Sequence, residues 1–492
     1  MNADGSASKY EAVIGIECHV ELRTASKMFC GCRNVFGAEP NTNVCPVCLG
    51  MPGALPVPNR RAIEHLVRAG LAFGCAIPAF SKFDRKNYFY PDMPKDYQIS
   101  QYDMPLAQGG VVSYFLADGT KGMCRLTRIH LEEDTGKSTH GGSGDGRIAG
   151  SSYSLIDFNR AGVPLMECVS EPDIRSAEEA VAYLETLKRT FVALGVSDVK
   201  MEEGSLRCDA NVSIRLRGNT ELGTKTEIKN MNSFRSVGRA IESEIARQIA
   251  LLEAGTRIVQ ETRGWDEAGG VTHSMRSKEQ AHDYRYFPDP DLAPIEFAPA
   301  ALGGLRGDSE VLPQRRIERY VEADGLSIVQ AQQLVDAPGV ADYFDDVVAR
   351  THKPQASANF VLGECSRLAN ETQVPVAHSK LGAGALAELV TLVEARAITS
   401  KVAKSVLERV WRDGGSPKAI VESEGLGAVS DPNALATLVT DVLAAHAKSV
   451  DDYRAGKGAA LQFLVGQAMK ASRGKADPSV VEGLLRERLA AP

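Results

Sequence analysis

Ile14-Gly-Ile-Glu-Cys-His-Val-Glu-Leu22 alternates apolar and polar residues along its length. Successive side chains of a β-strand point to opposite faces, so Ile14, Ile16, Cys18, Val20 and Leu22 line one side. Glu17, His19 and Glu21 line the other. The same alternation returns in Leu206 to Arg215, where Leu206, Cys208, Ala210, Val212 and Ile214 oppose Arg207, Asp209, Asn211, Ser213 and Arg215. Arg125 to Asp134 reads as a third strand with Arg128, His130 and Glu132 on one face. Tyr153 to Asn159 reads as a fourth, facing Asp157 and Asn159 together, and Lys225, Glu227 and Lys229 form one further polar side. Two helices accompany them. Ser176 is an N-cap with Glu179 three residues on, and Val237, Ile241, Ile245, Ile249 and Leu252 make a stripe ending at Gly255. The fold class is therefore α+β: an antiparallel sheet with helices on its apolar face and an unusually charged opposite face.

Working outward, a Pro- and Gly-rich stretch (Pro288, Pro290, Pro294, Pro299, Gly303, Gly304) reads as a linker. Beyond it the chain turns Ala-, Leu- and Val-rich with helical periodicity, interrupted near Asn370 to Gly384. The expected organisation is a disordered lead over 1–9, a cradle domain over 10–295, an all-α helical domain over 296–372 and an all-α tail domain over 373–492. The 492 residues suit about three domains. Gly141 to Ser152 reads as a flexible hairpin loop. No apolar run reaches the ~20 residues of a membrane span, and Met1 to Lys9 has no apolar signal core, so a cytosolic prokaryotic protein is expected. Ordinary hydrophobic (43%) and charged (24%) fractions exclude wholesale disorder and fibrous classes. Fifty-six basic against 63 acidic residues leave −7, which counts against a nucleic-acid coat. That balance is uneven, for Arg454 to Lys475 carries Arg454, Lys457, Lys470, Arg473 and Lys475 and no acid. Such a stretch reads as a helical module whose rim meets a phosphate backbone, or as a solvated helix face.

Chemistry concentrates in two patterns. Cys30-x-Cys32, twelve residues, then Cys45-x-x-Cys48 offers four thiolates in two close pairs, which suits a closed tetrahedral zinc site. The alternatives are four structural cysteines or a redox pair. The second pattern is the polar sheet face. Glu17 and His19, with Glu132 or Glu133, Asp209 and Glu227, form an oxygen-rich set with one imidazole, which suits Mg²⁺ or Mn²⁺. Lys86, Lys95, Arg160, Arg207, Lys225 and Lys229 accompany these carboxylates as candidate phosphate contacts. No Gly-x-x-x-x-Gly-Lys-Ser/Thr loop is present, so any ATP binds without a P-loop.

Several longer runs resemble one family. They are Gly15 to Leu22, Tyr88-Phe-Tyr-Pro-Asp-Met-Pro-Lys95, His130-Leu-Glu-Glu-Asp134, and Leu155-Ile-Asp-Phe-Asn-Arg-Ala-Gly-Val-Pro-Leu-Met-Glu-Cys168. Glu202 to Ser213, Lys225-Thr-Glu-Ile-Lys-Asn230, Asp283-Tyr-Arg-Tyr-Phe-Pro288 and Phe463 to Lys470 follow in order. Together they resemble the GatB family, one of the subunits of the aspartyl/glutamyl-tRNA(Asn/Gln) amidotransferase. The resemblance implies a kinase-like cradle that uses ATP and Mg²⁺ to phosphorylate the side chain of Glu mischarged on tRNA(Gln), or of Asp on tRNA(Asn). It implies an amidase (glutaminase) partner that delivers ammonia from glutamine, a small third protein completing a heterotrimer, and back domains that hold the tRNA. Carried over, the magnesium ligands fall on Glu17, His19, Glu132 or Glu133, Asp209 and Glu227, and the zinc ligands on Cys30, Cys32, Cys45 and Cys48. ATP contacts are assigned to Lys86, Arg160, Arg207, Ser213 and Lys229. No Ser/Lys nucleophile set follows Gly141-Gly-Ser-Gly, which agrees with a separate glutaminase. The competing readings are a zinc-stabilised RNA-binding platform without catalysis and a magnesium-dependent phosphodiesterase.

Overall fold

The opening strand is the hub of the first half. In a computed structural model, β1 (Tyr10–Glu21) pairs along its whole length with a strand some 200 residues away, Tyr10 opposite Leu216, and on its other edge with Pro164–Ser170. The structure describes residues 9–142, 150–277, 283–306, 311–428, 431–472 and 474–490. It forms two compact units, Met1–Arg315 and Arg316–Pro492.

In chain order the strands are β1, β2 (Phe80–Ser81), β3 (Asp84–Asn87), β4 (Tyr97–Ser100), β5 (Ala107–Gln108), β6 (Val111–Phe115), β7 (Lys121–Glu133) and β8 (Lys137–Gly141). There follow β9 (Tyr153–Asp157), β10 (Pro164–Ser170), β11 (Leu206–Leu216), β12 (Thr226–Lys229), β13 (Glu261–Asp266), β14 (Val271–Ser277), β15 (Phe287–Pro288) and β16 (Ile295–Glu296). Nine of them make the main sheet in the order β14-β13-β12-β11-β1-β10-β7-β5, with β6 also on β7. All its pairings are antiparallel except β12 with β13. Three helices cover the apolar face. α1 (Arg60–Ala72) is capped by Asn59, α2 (Ala177–Ala193) by Ser176 and α3 (Phe234–Glu253) by Ser233, each side chain accepting first-turn amides that would otherwise lack partners. Ile14, Ile16, Cys18 and Val20 share one buried core with Leu66, Leu184, Leu187, Val237 and Ile241. Burying each large aliphatic side chain contributes ~2–3 kcal/mol. The helices thus hold one face shut and leave the charged face open to chemistry.

Two expectations change. Tyr153 to Asn159 is not a strand of the main sheet. β9 pairs only with β8, Gly141 opposite Tyr153, and its Asp157 brackets a loop elsewhere. The residues of that hairpin loop at 143–149 lie outside the described residues. The Pro-rich stretch after Asp283 is not a free linker either. Its β15 pairs with β3, its β16 with β2, and α4 (Pro299–Leu305) follows. Buried Asp289 accepts from Arg85 Nε at 2.8 Å, which fastens that stretch to the first unit. Of the expected disordered lead, 1–8 lie outside the described residues, while Lys9 accepts from Arg217 N at 3.0 Å.

The second unit is mainly helical. It opens within α5 (Pro313–Glu322) and continues through α6 (Ile328–Asp336), α7 (Val340–Thr351), α8 (Pro354–Phe360), α9 (Ser366–Thr372), α10 (Ala383–Glu394), α11 (Ser400–Asp413) and α12 (Pro417–Ser423). α13 (Pro432–Ala445), α14 (Ala447–Arg454), α15 (Ala459–Ala471) and α16 (Pro478–Ala490) pack around their own core, built from Leu435, Val439, Leu461, Leu464, Val481 and Leu485. Among the described residues no helix is long and apolar enough to cross a membrane.

Candidate active site and metal centre

Strand register assembles the polar face. His19 on β1 stands opposite Glu167 on β10 and Arg207 on β11, and Glu167 stands opposite His130 on β7. Three adjacent strands therefore bring His19, Glu132 and Glu167 together, with one ligand atom of each lying within 4.8 Å of the others. His19 Nε2 is 3.5 Å from Glu167 and 3.9 Å from Glu132, while His130 Nε2 is 3.2 Å from Glu167 and 3.7 Å from Glu132. Burial opposes the charged form of His130, but Glu167 and Glu132 outweigh it and raise its pKa to about 9. Burial likewise opposes charge on Glu167, yet the two imidazoles hold it well below the usual carboxylate range. Two carboxylates and an imidazole converging on one point are a fitting donor set for a hard divalent cation.

A second group lies across β1, β11 and β12. Glu17 is opposite Asp209, and Asn211 is opposite Glu227. Asn211 Nδ2 donates to Glu17 at 2.8 Å, Thr262 Oγ1 to Glu227 at 2.7 Å, and Lys229 donates to Asp209 while lying 3.3 Å from Glu227. Here a lysine already supplies the positive charge. Burial opposes its protonated form, but Asp209 and Glu227 raise the pKa of Lys229 above its ordinary value.

Past the end of β7, beyond the first group, Arg207 Nη2 donates to buried Asp134 at 2.6 Å, and Arg160 lies 3.7 Å from the same carboxylate while donating to the carbonyls of Thr135 and Gly136. Glu21 sits beside Asp134, and burial, then that neighbouring charge, raises its pKa to about 8. Lys86 lies within electrostatic reach of Glu132 and Glu167. Burial opposes its charge, and those carboxylates among its neighbours hold its pKa above normal.

The four cysteines also meet, with their sulfurs all within 4.8 Å of one another. Cys45 and Cys48 Sγ are 3.8 Å apart. Sulfurs bound tetrahedrally at about 2.3 Å would be about 3.8 Å apart, so this donor set fits zinc. The Cys48 thiol is lowered to about 5 by the hydrogen bond from Cys30 and by Lys27 nearby, with burial opposing. Fully buried Lys27 donates to the carbonyls of Asn43 and Phe158. Asn159 Oδ1 accepts from Asn43 N and Asp157 Oδ1 from Asn41 N, so the end of β9 and the turn after it clamp this knuckle.

A family model described as the GatB/GatE catalytic domain matches residues 12–302, and one described as the GatB domain matches 342–489. The chain belongs to the GatB family. The GatB protein of the aspartyl/glutamyl-tRNA(Asn/Gln) amidotransferase of Moorella thermoacetica is 52% identical over 481 residues, covering 98% of this chain and 100% of that protein. Its counterparts in Anaeromyxobacter dehalogenans (52% over 486 residues, 98% and 99% covered) and Thermosynechococcus vestitus (49% over 491, 99% and 98% covered) are similarly alike.

The GatB catalytic region thus contains the knuckle and both acid groups, but it sorts the expected residues unevenly. His19 and Glu132 join one group and Glu17, Asp209 and Glu227 the other. Glu133, one residue out of phase, turns away and bonds Lys95 and the amide of Ile99. Ser213 is buried and donates to the carbonyl of Val13 at 3.3 Å, and Lys225 is exposed. Glu167 was not among the expected residues. Its strand is masked in sequence by the apolar run Val163-Pro-Leu-Met166, though Glu167-Cys168 repeats the polar-then-core order of Glu17-Cys18. In the tail, Leu461, Leu464, Val465 and Ala468 of α15 are buried, whereas Phe463 is exposed and Lys457 pairs with Asp452. Arg473 lies outside the described residues.

Proposed function

We propose that this chain is the activating component of a glutamine-dependent tRNA amidotransferase, an ATP-dependent carbon–nitrogen ligase. Its substrates are Glu-tRNA(Gln), Asp-tRNA(Asn) or both, and its products the corresponding Gln- and Asn-tRNAs. The observation that carries the reading is the convergence of His19, Glu132 and Glu167 beside Lys86 and the Arg160–Arg207 pair. A carboxylate is a poor acyl donor because its leaving group would be oxide. Transfer of the γ-phosphoryl group of ATP to that oxygen converts it to phosphate, which ammonia displaces to form the amide. Mg²⁺ held by His19, Glu132 and Glu167, with Glu17, Asp209 and Glu227 as a second group, would neutralise charge that builds on the phosphates. Arg207 and Arg160, oriented through Asp134, present guanidinium edges suited to phosphate oxygens. Lys86 supplies a further cation at the acid cluster. Zinc at Cys30, Cys32, Cys45 and Cys48 would close the knuckle and take no part in the reaction, since four thiolates leave no open position.

Ammonia is supplied by an amidase (glutaminase) partner, with a small third protein completing the heterotrimer in the bacterial cytoplasm. The helical second unit, Arg316–Pro492, holds the tRNA, with the acid-free basic stretch of the tail meeting its backbone. The test is ATP hydrolysis to ADP by the assembled enzyme with mischarged tRNA. Stimulation by the mischarged tRNA, lost in His19→Ala and Glu227→Gln, supports the reading. Unchanged Mg²⁺-dependent turnover in both variants overturns the metal assignment.

A further inference from the structure

Two aromatic runs, Tyr88 to Lys95 and Asp283 to Pro288, have no part in either acid group, yet they join in space. β15 pairs with β3, placing Phe287 opposite Arg85, and Asn87 donates through its amide to Tyr284 O (2.9 Å) and through its side chain to Arg285 O (2.8 Å). The result is a continuous series of tyrosine rings. Tyr88 meets Tyr284 edge-on at 6.3 Å, Tyr284 meets Tyr286 edge-on at 6.2 Å, and Tyr286 stacks on Tyr102 at 4.3 Å with an 11° interplanar angle. Lys86 Nζ lies 5.2 Å over the Tyr284 ring and within electrostatic reach of Glu132 and Glu167. The series therefore adjoins the acid cluster through Lys86 at Tyr284 and ends on Tyr102, which is 59% exposed although Tyr286 covers one of its faces.

The hydrophobic core does not account for this arrangement, since Tyr88, Tyr102, Tyr284 and Tyr286 all lie outside it. A stacked aromatic with an open face, next to a cation, is the usual means of holding an unpaired nucleobase. We propose that Tyr102 and Tyr286, at the exposed end of this series, stack the terminal base of the acceptor strand whose esterified amino acid enters the acid cluster. This rests on the function proposed above. The terminal base is favoured over the base of ATP because the platform is open, which lets a strand continue away from the stacked base. It also adjoins, through Lys86, the group that must receive the amino acid's carboxylate.

The test uses the assembled amidotransferase and two probes. One is an acceptor-stem minihelix with 2-aminopurine as its terminal base, whose fluorescence is quenched on stacking. The other is steady-state amidation with mischarged tRNA and with ATP varied separately. The minihelix should be quenched by the wild-type enzyme and not by Tyr102→Leu. Tyr102→Leu and Tyr286→Leu should raise KM for mischarged tRNA about five- to a hundred-fold, the range of a lost base stack. Tyr102→Phe keeps the ring and should restore both readouts. An unchanged tRNA KM in both leucine variants, or a rise confined to the KM for ATP, overturns the proposal. The quenching requires no turnover, so an enzyme that stacks the minihelix yet fails to amidate tRNA would sink the proposed function and leave the stacking site standing.

Discussion

The cysteine knuckle and the acid cluster are both sets of metal-type ligands, and they are built in opposite ways. The knuckle takes its four sulfurs from one short loop, Cys30 to Cys48, and needs the rest of the protein only as a clamp through Asp157, Asn159 and Lys27. The acid cluster takes one residue from each of three strands, and only the register of β1, β10 and β7 makes them neighbours. A local site survives changes in distant packing, whereas a distributed site is only as accurate as its sheet. The difference also separates their tasks. On the function proposed above, a closed set of thiolates would hold a loop, and a set of carboxylates and imidazole would leave room for a substrate.

The sharpest way to break the comparison is at Glu167. Glu167→Gln keeps the shape and removes one carboxylate charge from the cluster. Amidation should fall at least about 100-fold, given that even outer partners of a metal site cost 10- to 100-fold. Circular dichroism should remain that of the parent. A loss below tenfold would mean that the three-strand cluster is not the reaction centre. Next in size is Cys45→Ser. Metal analysis should drop from about one zinc per chain to none, and amide exchange across 30–48 should quicken at least about tenfold, because binding energy at a structural zinc is folding energy. Exchange that quickens equally throughout the sheet would show that the knuckle is not the local unit described. A smaller effect is expected at Lys229, which occupies the second acid group. Lys229→Met should tighten Mg²⁺ binding about fivefold by calorimetry without nucleotide, the effect of roughly 1 kcal/mol of lost competition. Weaker binding would make the lysine a partner of the ion and not its rival. The smallest concerns Ser213→Ala, which removes one hydrogen bond to Val13 and should cost at most about 1.5 kcal/mol, with the KM for ATP within twofold. A large rise in that KM would return Ser213 to the nucleotide site.

The same contrast explains what could be read from sequence. β1, β11 and most of β7 declare themselves because one face is core and the other charged, so parity is visible residue by residue. The knuckle declares itself by spacing. β10 does not, because Leu165 on the polar side is as buried as Met166 on the core side, and Glu167 is lost within an apolar run. Glu132 and Glu133 could not be separated until the strand was seen to keep its phase to Glu133, which sends the second glutamate to Lys95. β9 misled because alternation reports a strand but not its partner. The stretch after Asp283 misled because proline content reports stiffness, and a stiff segment can be docked, as Asp289 is on Arg85. Pairing with charge, not composition, decided that outcome.

The central place of β1 has a consequence for how the protein comes into being. Its partners are residues 164–170 and 206–216, so during synthesis the first strand has neither neighbour until most of the first unit has been made. Contacts this distant in sequence pair slowly and leave strand edges unprotected while they wait. The nascent chain therefore carries an apolar, edge-exposed segment past the point where the knuckle can already close around its own cysteines. Early closure there would give the ribosome-bound chain one ordered loop beside an unpartnered strand, and delays in translation between residues 22 and 206 would lengthen that exposure.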